Sequence, residues 1–289
     1  MPECTRPLTK DVDMSDSANP ARNTGAAAEE RPHPARIYDF YLGGNDNLPV
    51  DRAAAEGFVK QMPGSPVGAR ANRRVLNRAV RYATRNGVRQ FLDVGSGIPS
   101  AQATHEVAPD ALVLYVDNDP VVAEYAHRIL GDTSDGRTAF VTEDVRNPDA
   151  ILSAPETKEL LDFSQPVGVI FGALLHFVLD DEDPYAMVER YKEALAPGSM
   201  VLLTHSSPDY VSPEVRVVVD DIYTKLRVPL AQRSREGIER FLATPGWTVA
   251  APGVVSTNEW ETEQEPATDD DRATTREDAA GYAAVATKS

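Results

Sequence analysis

Phe91-Leu92-Asp93-Val94-Gly95-Ser96-Gly97 leads an apolar run into a glycine turn, and a helix start follows it. Gly95 and Gly97 let backbone approach a ligand without Cβ interference, and the next helix offers free amides. Twenty residues beyond Gly97 a second apolar run ends in Asp117, then Asn118, Asp119 and Pro120. An acid at such a strand tip is placed to bind the two hydroxyls of a ribose. A third run ends in Thr142-Glu143-Asp144-Val145, where an acid can accept from an adenine amino group. Glycine pair, strand context and spaced acids together point to a nucleoside-type cofactor. Two histidines follow later strands, His176 and His205. A neutral imidazole there can serve as general base, or it can be hydrogen-bonded beneath the pocket.

The details separate two cofactors. A dinucleotide fingerprint wants a third glycine or alanine three positions after the second, and here Ser100 stands there behind Pro99. Dinucleotide sites need no acid at the place of Asp93, whereas an amino-acid moiety carries an ammonium to meet one. S-adenosylmethionine is therefore favoured over NAD, the alternative being an NAD-dependent oxidoreductase. A second alternative is a protein that binds the cofactor without turnover.

These residues need a scaffold. Strands are predicted at 90–94, 112–117, 138–142, 167–171, 200–204, 247–251 and 282–286, with helices near 100–108, 120–130, 184–196 and 233–243. Such alternation, with continuous apolar strands, indicates a mostly parallel sheet covered on both faces. The last two strands lack an intervening helix and are predicted as an antiparallel pair. A further helix over 69–89 carries Arg70, Arg73, Arg74, Arg78, Arg81, Arg85 and Arg89 without one acid. It reads as a solvated face, or as the source of one arginine, Arg70 or Arg73, for a ligand carboxylate.

Four blocks resemble a bacterial family of S-adenosylmethionine-dependent methyltransferases of unassigned substrate: Ala35-Arg36-Ile37-Tyr38-Asp39-Phe40-Tyr41-Leu42-Gly43-Gly44-Asn45-Asp46-Asn47, the glycine loop, Tyr115-Val116-Asp117-Asn118-Asp119-Pro120, and Leu174-Leu175-His176-Phe177-Val178. The resemblance implies the α/β class I methyltransferase fold, Rossmann-like, with a seven-stranded sheet whose last strand is antiparallel. It matches Asp93, Gly95 and Gly97 to the glycine loop, Asp117 to the ribose and Asp144 to the adenine, with Ser96, Asn118 and Val145 expected to bind the cofactor beside them. The helix after Ser100 is about a turn shorter than the family pattern. Residues 34–68 read as a helical lid, with Tyr41 offering a ring to the sulfonium and Asn45 or Asp46 touching polar groups.

Methyl transfer from a sulfonium asks mainly for alignment and, where the acceptor carries a proton, for a base. His176 is the candidate base. His105 and His127 fall on helices in structural or exposed places, and His33 falls in the tail. Cytosine C5 chemistry needs a cysteine, and the one cysteine is Cys4, within a tail predicted as disordered over 1–33. DNA amino methylation uses Asn/Asp-Pro-Pro-aromatic where this chain has Phe171-Gly172-Ala173-Leu174. A small-molecule acceptor is expected, with no metal.

The balance of 29 Lys and Arg against 45 Asp and Glu gives a net charge of −16, which repels phosphate backbones. No apolar run spans a bilayer and no signal-peptide core is present, so a cytoplasmic protein is expected. The stretch 259–278 sets nine acids against two arginines and reads as a solvated acidic loop.

Overall fold

The computed structural model describes residues 31–99, 102–131 and 136–289. Cys4, most of the expected tail, and Ser100 at the expected helix start lie outside them. Three helices open the chain: α1 (Pro34–Tyr41), α2 (Pro49–Gln61) and α3 (Ser65–Arg85). Each has proline in its first turn, where the missing N–H costs nothing. Then follow β1 (Gln90–Val94), α4 (Thr104–Val107), β2 (Leu112–Asp117), α5 (Pro120–Gly131), β3 (Thr138–Thr142), α6 (Pro148–Ser153), α7 (Pro155–Leu160) and β4 (Gly168–Gly172). The remainder is α8 (Pro184–Glu193), β5 (Met200–Ser206), α9 (Pro213–Leu226), α10 (Arg235–Glu239), β6 (Trp247–Val249), β7 (Val255–Ser256), α11 (Asp269–Ala273), α12 (Arg276–Ala279) and β8 (Gly281–Lys288).

The strands form one sheet in the order β3-β2-β1-β4-β5-β8-β6, with the two-residue β7 also pairing β8. The first five strands are parallel, and β8 runs antiparallel to β5, β6 and β7. The expected seven strands are thus eight, because Val255 and Ser256 return to β8 after a turn too short to show a period. Alternate residues fill two cores. Leu92, Val94, Leu114 and Phe171 face one layer, and Phe91, Val113, Tyr115 and Ile170 the other. Strand order reverses between β1 and β4, and ligand crevices of open α/β sheets lie beyond strand ends at such a switch.

Four expectations change. Helix α9 was not foreseen; Ser212 caps it by accepting from Val215 N–H. The expected helix over 233–243 shortens to α10. The tail ends before His33, whose side chain caps α1 and whose N–H donates to Asp51 Oδ1 at 2.9 Å. Finally, the acidic stretch is no solvated loop. Asp271 is buried and pairs with Arg74 at 2.6 Å and with Arg78, and Glu265 pairs with Arg81 at 2.7 Å and Arg85 at 2.9 Å. The arginine face of α3 is therefore the docking face for α11 and its approach.

Candidate functional site

Beyond the ends of β1–β5 lies a cavity of about 820 Å³, roofed by α1, α2 and α9. Ligand pockets range over about 300–1,000 Å³, so this one is near the upper end. Asp93, Gly95, Ser96, Asp117, Asn118, Asp144, Val145, Tyr41 and His176 all line it. Gly97 does not.

The β1 turn is held down by its neighbours. Gly95 and Ser96 donate their N–H groups to Val116 O at 2.8 and 3.0 Å. Gly95 has φ +65°, and a Cβ there would sit 2.4 Å from Leu174 Cδ1, so only glycine fits. Gly97 acts through Asp117: its N–H donates to Oδ2 at 2.9 Å, while Asp119 N–H donates to Oδ1 at 3.0 Å. Both carboxylate oxygens are thus aimed by backbone amides. Asp93 is buried and accepts from Thr104 Oγ1 at 2.7 Å. Burial pushes its pKa up to about 6 against the Thr104 bond and the nearby charge of Arg73.

On the third strand tip, Asp144 accepts from Asn118 Nδ2 at 2.7 Å and from Arg146 N–H at 2.9 Å. Asn118 is thereby coupled to the acid expected at the adenine. Of the two candidate arginines, Arg73 enters the cavity and Arg70 does not. Arg70 instead donates to Tyr41 O at 3.2 Å. Arg73 stacks 5.6 Å over the Tyr38 ring, and its buried Nε has no hydrogen-bond partner.

The helices expected as a lid, α1 and α2, are fastened by charge. Buried Arg36 on α1 donates to Asp51 Oδ2 at 2.8 Å and to Asp119 Oδ2 at 2.6 Å, two residues past the acid expected at the ribose. The polar turn after α1 serves its own fold. Asp39 Oδ2 accepts from Asn47 Nδ2 at 2.8 Å and Asp46 N–H at 3.2 Å, and Asp46 pairs with Arg128 at 2.6 Å. Asn45 and Asp46, expected to touch ligand, lie outside the cavity lining.

Both candidate histidines reach the cavity, His176 and His205. Burial, then His205 and Arg233, hold His176 well below the usual histidine range, so the expected titration near neutrality is displaced downward. His205 is lowered to about 4, mainly by burial and also by Arg233. His105 lies 2.7 Å through Nδ1 from Tyr115 Oη, and exposed His127 lies 2.6 Å from Ala123 O. The reading of single residues missed Arg233, which stood in the helix expected over 233–243 without being singled out, and Tyr223, which lies on the unforeseen α9. Among the described residues no group of three or more His, Cys, Asp or Glu could hold a metal, and no helix is long and apolar enough to cross a membrane.

Comparison with known proteins bears on the family and the fold. A family model described as S-adenosyl methyltransferase matches residues 21–289. A DUF574-family protein from Streptomyces avermitilis is similar at 37% identity and TM-score 0.82, over 90% of this chain and 99% of that one. A candidate methyltransferase from Thermobifida fusca is similar at 38% identity and TM-score 0.79, over 89% and 95%. Magnesium protoporphyrin IX methyltransferase from Synechocystis, with bound S-adenosylhomocysteine, shares the fold at 14% identity and TM-score 0.53, over 88% and 93%. No curated protein matches. Matched along nearly its whole length, the chain belongs to the S-adenosyl methyltransferase family.

Proposed function

We propose that this S-adenosylmethionine-dependent methyltransferase acts on a small molecule enclosed with the cofactor in the one cavity described above. The observation that carries the reading is the union, in that cavity, of the strand-tip acids with a ring-lined space under α1, α2 and α9. A roofed cavity in a chain of net charge −16 is a poor seat for a nucleic acid.

The donor set fits the cofactor's parts. Asp117, aimed by two amides, would take the ribose hydroxyls, and Asp144 with Val145 would take the adenine edge. Asp93 would meet the ammonium, and Arg73, with its unpartnered Nε, the carboxylate. Tyr41 would close over the sulfonium with its ring, since its hydroxyl donates to Ala55 O at 3.4 Å. When bound, the cofactor supplies an activated methyl group. The chain's residues then bind, orient and exclude water.

Isothermal titration tests this set. S-adenosylmethionine and S-adenosylhomocysteine are expected to bind and NAD is not. Asp117→Ala should weaken both by roughly 10- to 100-fold, from the 1.5–3 kcal/mol of a hydrogen bond to a charged acceptor. Unchanged affinity in a folded Asp117→Ala protein would place the ribose elsewhere.

A further inference from the structure

The cavity wall away from the strand tips is built of rings. Tyr38, Tyr41, Phe58, Phe177 and Tyr223 line it. Phe58 meets Tyr223 edge-on at 5.7 Å, and Phe177 lies 6.1 Å from Tyr223. His176 and His205 line the same cavity, their rings 5.5 Å apart.

Their hydrogen bonds fix which proton each carries. Ser206 N–H donates to His176 Nδ1 at 3.4 Å, so the neutral ring bears its proton on Nε2 and offers the cavity a donor. His205 Nδ1 lies 2.6 Å from Ser206 O, to which it donates, and its Nε2 accepts from Arg233 Nη1 at 3.1 Å. Neither ring keeps a lone pair for a substrate proton. Behind them Arg233 is 5% exposed and donates to Leu175 O and Val178 O, while its carboxylate partner Asp180 has a side chain 75% exposed. A buried guanidinium whose counter-ion sits in water leaves positive potential, which keeps both imidazoles neutral and favours an anion in front of them. The hydroxyls of Tyr41 and Tyr223 are pushed up by burial and stay protonated. Asp93, Asp117, Glu143 and Asp144 belong to the strand tips. On the α12 side, Glu277 is exposed and Asp278 accepts from Thr275 Oγ1 at 2.8 Å.

Resting on the reading above, we propose that the acceptor is an apolar, ring-bearing small molecule that reacts as an oxyanion, its oxygen held by Nε2–H of His176. Such an acceptor loses its proton to water before it binds. Its oxygen lone pair forms the new O–C bond as the C–S bond breaks, that bond's electron pair passing to sulfur. The sulfonium's positive charge and the oxyanion's negative charge disappear together, and no protein base is required.

Calorimetry on the full chain loaded with S-adenosylhomocysteine tests this with 2-naphthoate and 1-naphthylmethylamine as probes. The naphthoate should bind about tenfold or more tightly than the amine, the size expected of one hydrogen bond to a charged group. Val215→Trp, which fills the chamber from half-buried α9, should abolish naphthoate binding and leave S-adenosylhomocysteine affinity unchanged. His176→Gln, which keeps an N–H donor, should retain naphthoate affinity, whereas His176→Ala should lose about tenfold. Methyl transfer to naphthoate at saturating cofactor should be level between about pH 7 and 9, where no histidine limb is expected. Preference for the amine, binding of neither probe, equal loss in both His176 variants, or a rising pH limb would each overturn the inference. Failure of the wild-type chain to bind S-adenosylhomocysteine would instead overturn the reading of the cofactor site.

Discussion

A carboxylate buried at a strand tip is stable in its ionised form when a cation comes to meet it. Asp93 is in that position, with its pKa raised by burial from 3.8 to about 6. The folded chain therefore binds a proton that the unfolded chain releases, so stability falls as pH rises from about 4 to about 6 and stays lower above. The difference is about 3 kcal/mol at neutral pH, from 1.36 kcal/mol per unit. Asp93→Asn should accordingly raise the denaturation midpoint of the ligand-free protein at pH 7.5 while weakening the cofactor. In the wild type, S-adenosylmethionine affinity should decline as pH drops through about 6. A destabilised Asp93→Asn protein, or a binding constant indifferent to pH, would count against the proposed ammonium contact. Gly97 illustrates what residue types alone conceal. Its place in the loop was legible, but its work of aiming Asp117 depends on φ +61° and a 2.9 Å bond.

The helix α3 and the stretch holding α11 and α12 were each legible as a composition, one arginine-rich and one acidic. Their pairing was not, since Arg74 and Asp271 are 197 residues apart and nothing local marks them as partners. Burial would raise the pKa of Asp271, but its bonds from Arg74 and Thr268 and the charge of Arg78 hold it below the usual value. Its stabilising contribution is thus present above the unfolded pKa and is lost as pH falls through the folded one. Asp271→Ala strands Arg78, which is 1% exposed, and should cost about 3–5 kcal/mol in urea denaturation. Adding Arg78→Ala should cost less than its own single effect, because the two share one interaction. Strict additivity would show that the pair is incidental. The Arg81 and Arg85 side chains are 43% and 54% exposed, so they should contribute about 1 kcal/mol or less each. The central strands declared themselves as continuous apolar runs, whereas α9 was not foreseen.

At the scale of the molecule, a charge of −16 surrounds a site that takes a cofactor carrying one net positive charge. Long-range attraction of this kind is screened within about 10 Å at 0.1 M salt. Stopped-flow association of S-adenosylmethionine should slow as salt is raised, and that of uncharged S-adenosylhomocysteine should change little. Equal salt dependence would remove steering from the account. The floor of the cavity was readable because α/β sheets carry ligand groups on strand ends, so strand-tip position and spacing pointed to Asp93, Asp117 and Asp144, which line it. The roof was readable only in part: residues 34–68 read as a helical lid, but α9, which completes it, approaches only when the chain has closed and was not foreseen.

β8 lies between β5 and β6, and among the described residues β6 has no other strand beside it. During synthesis β5 and β6 leave the ribosome before the strand that joins them, so the nascent chain carries an open edge on β5 and an unpaired β6 with Val249, a residue exposed even in the folded chain. Open edges of that sort invite pairing with other chains. The arrest of translation just short of Gly281 would therefore yield a product prone to aggregation, although every strand-tip acid of the site had already been made.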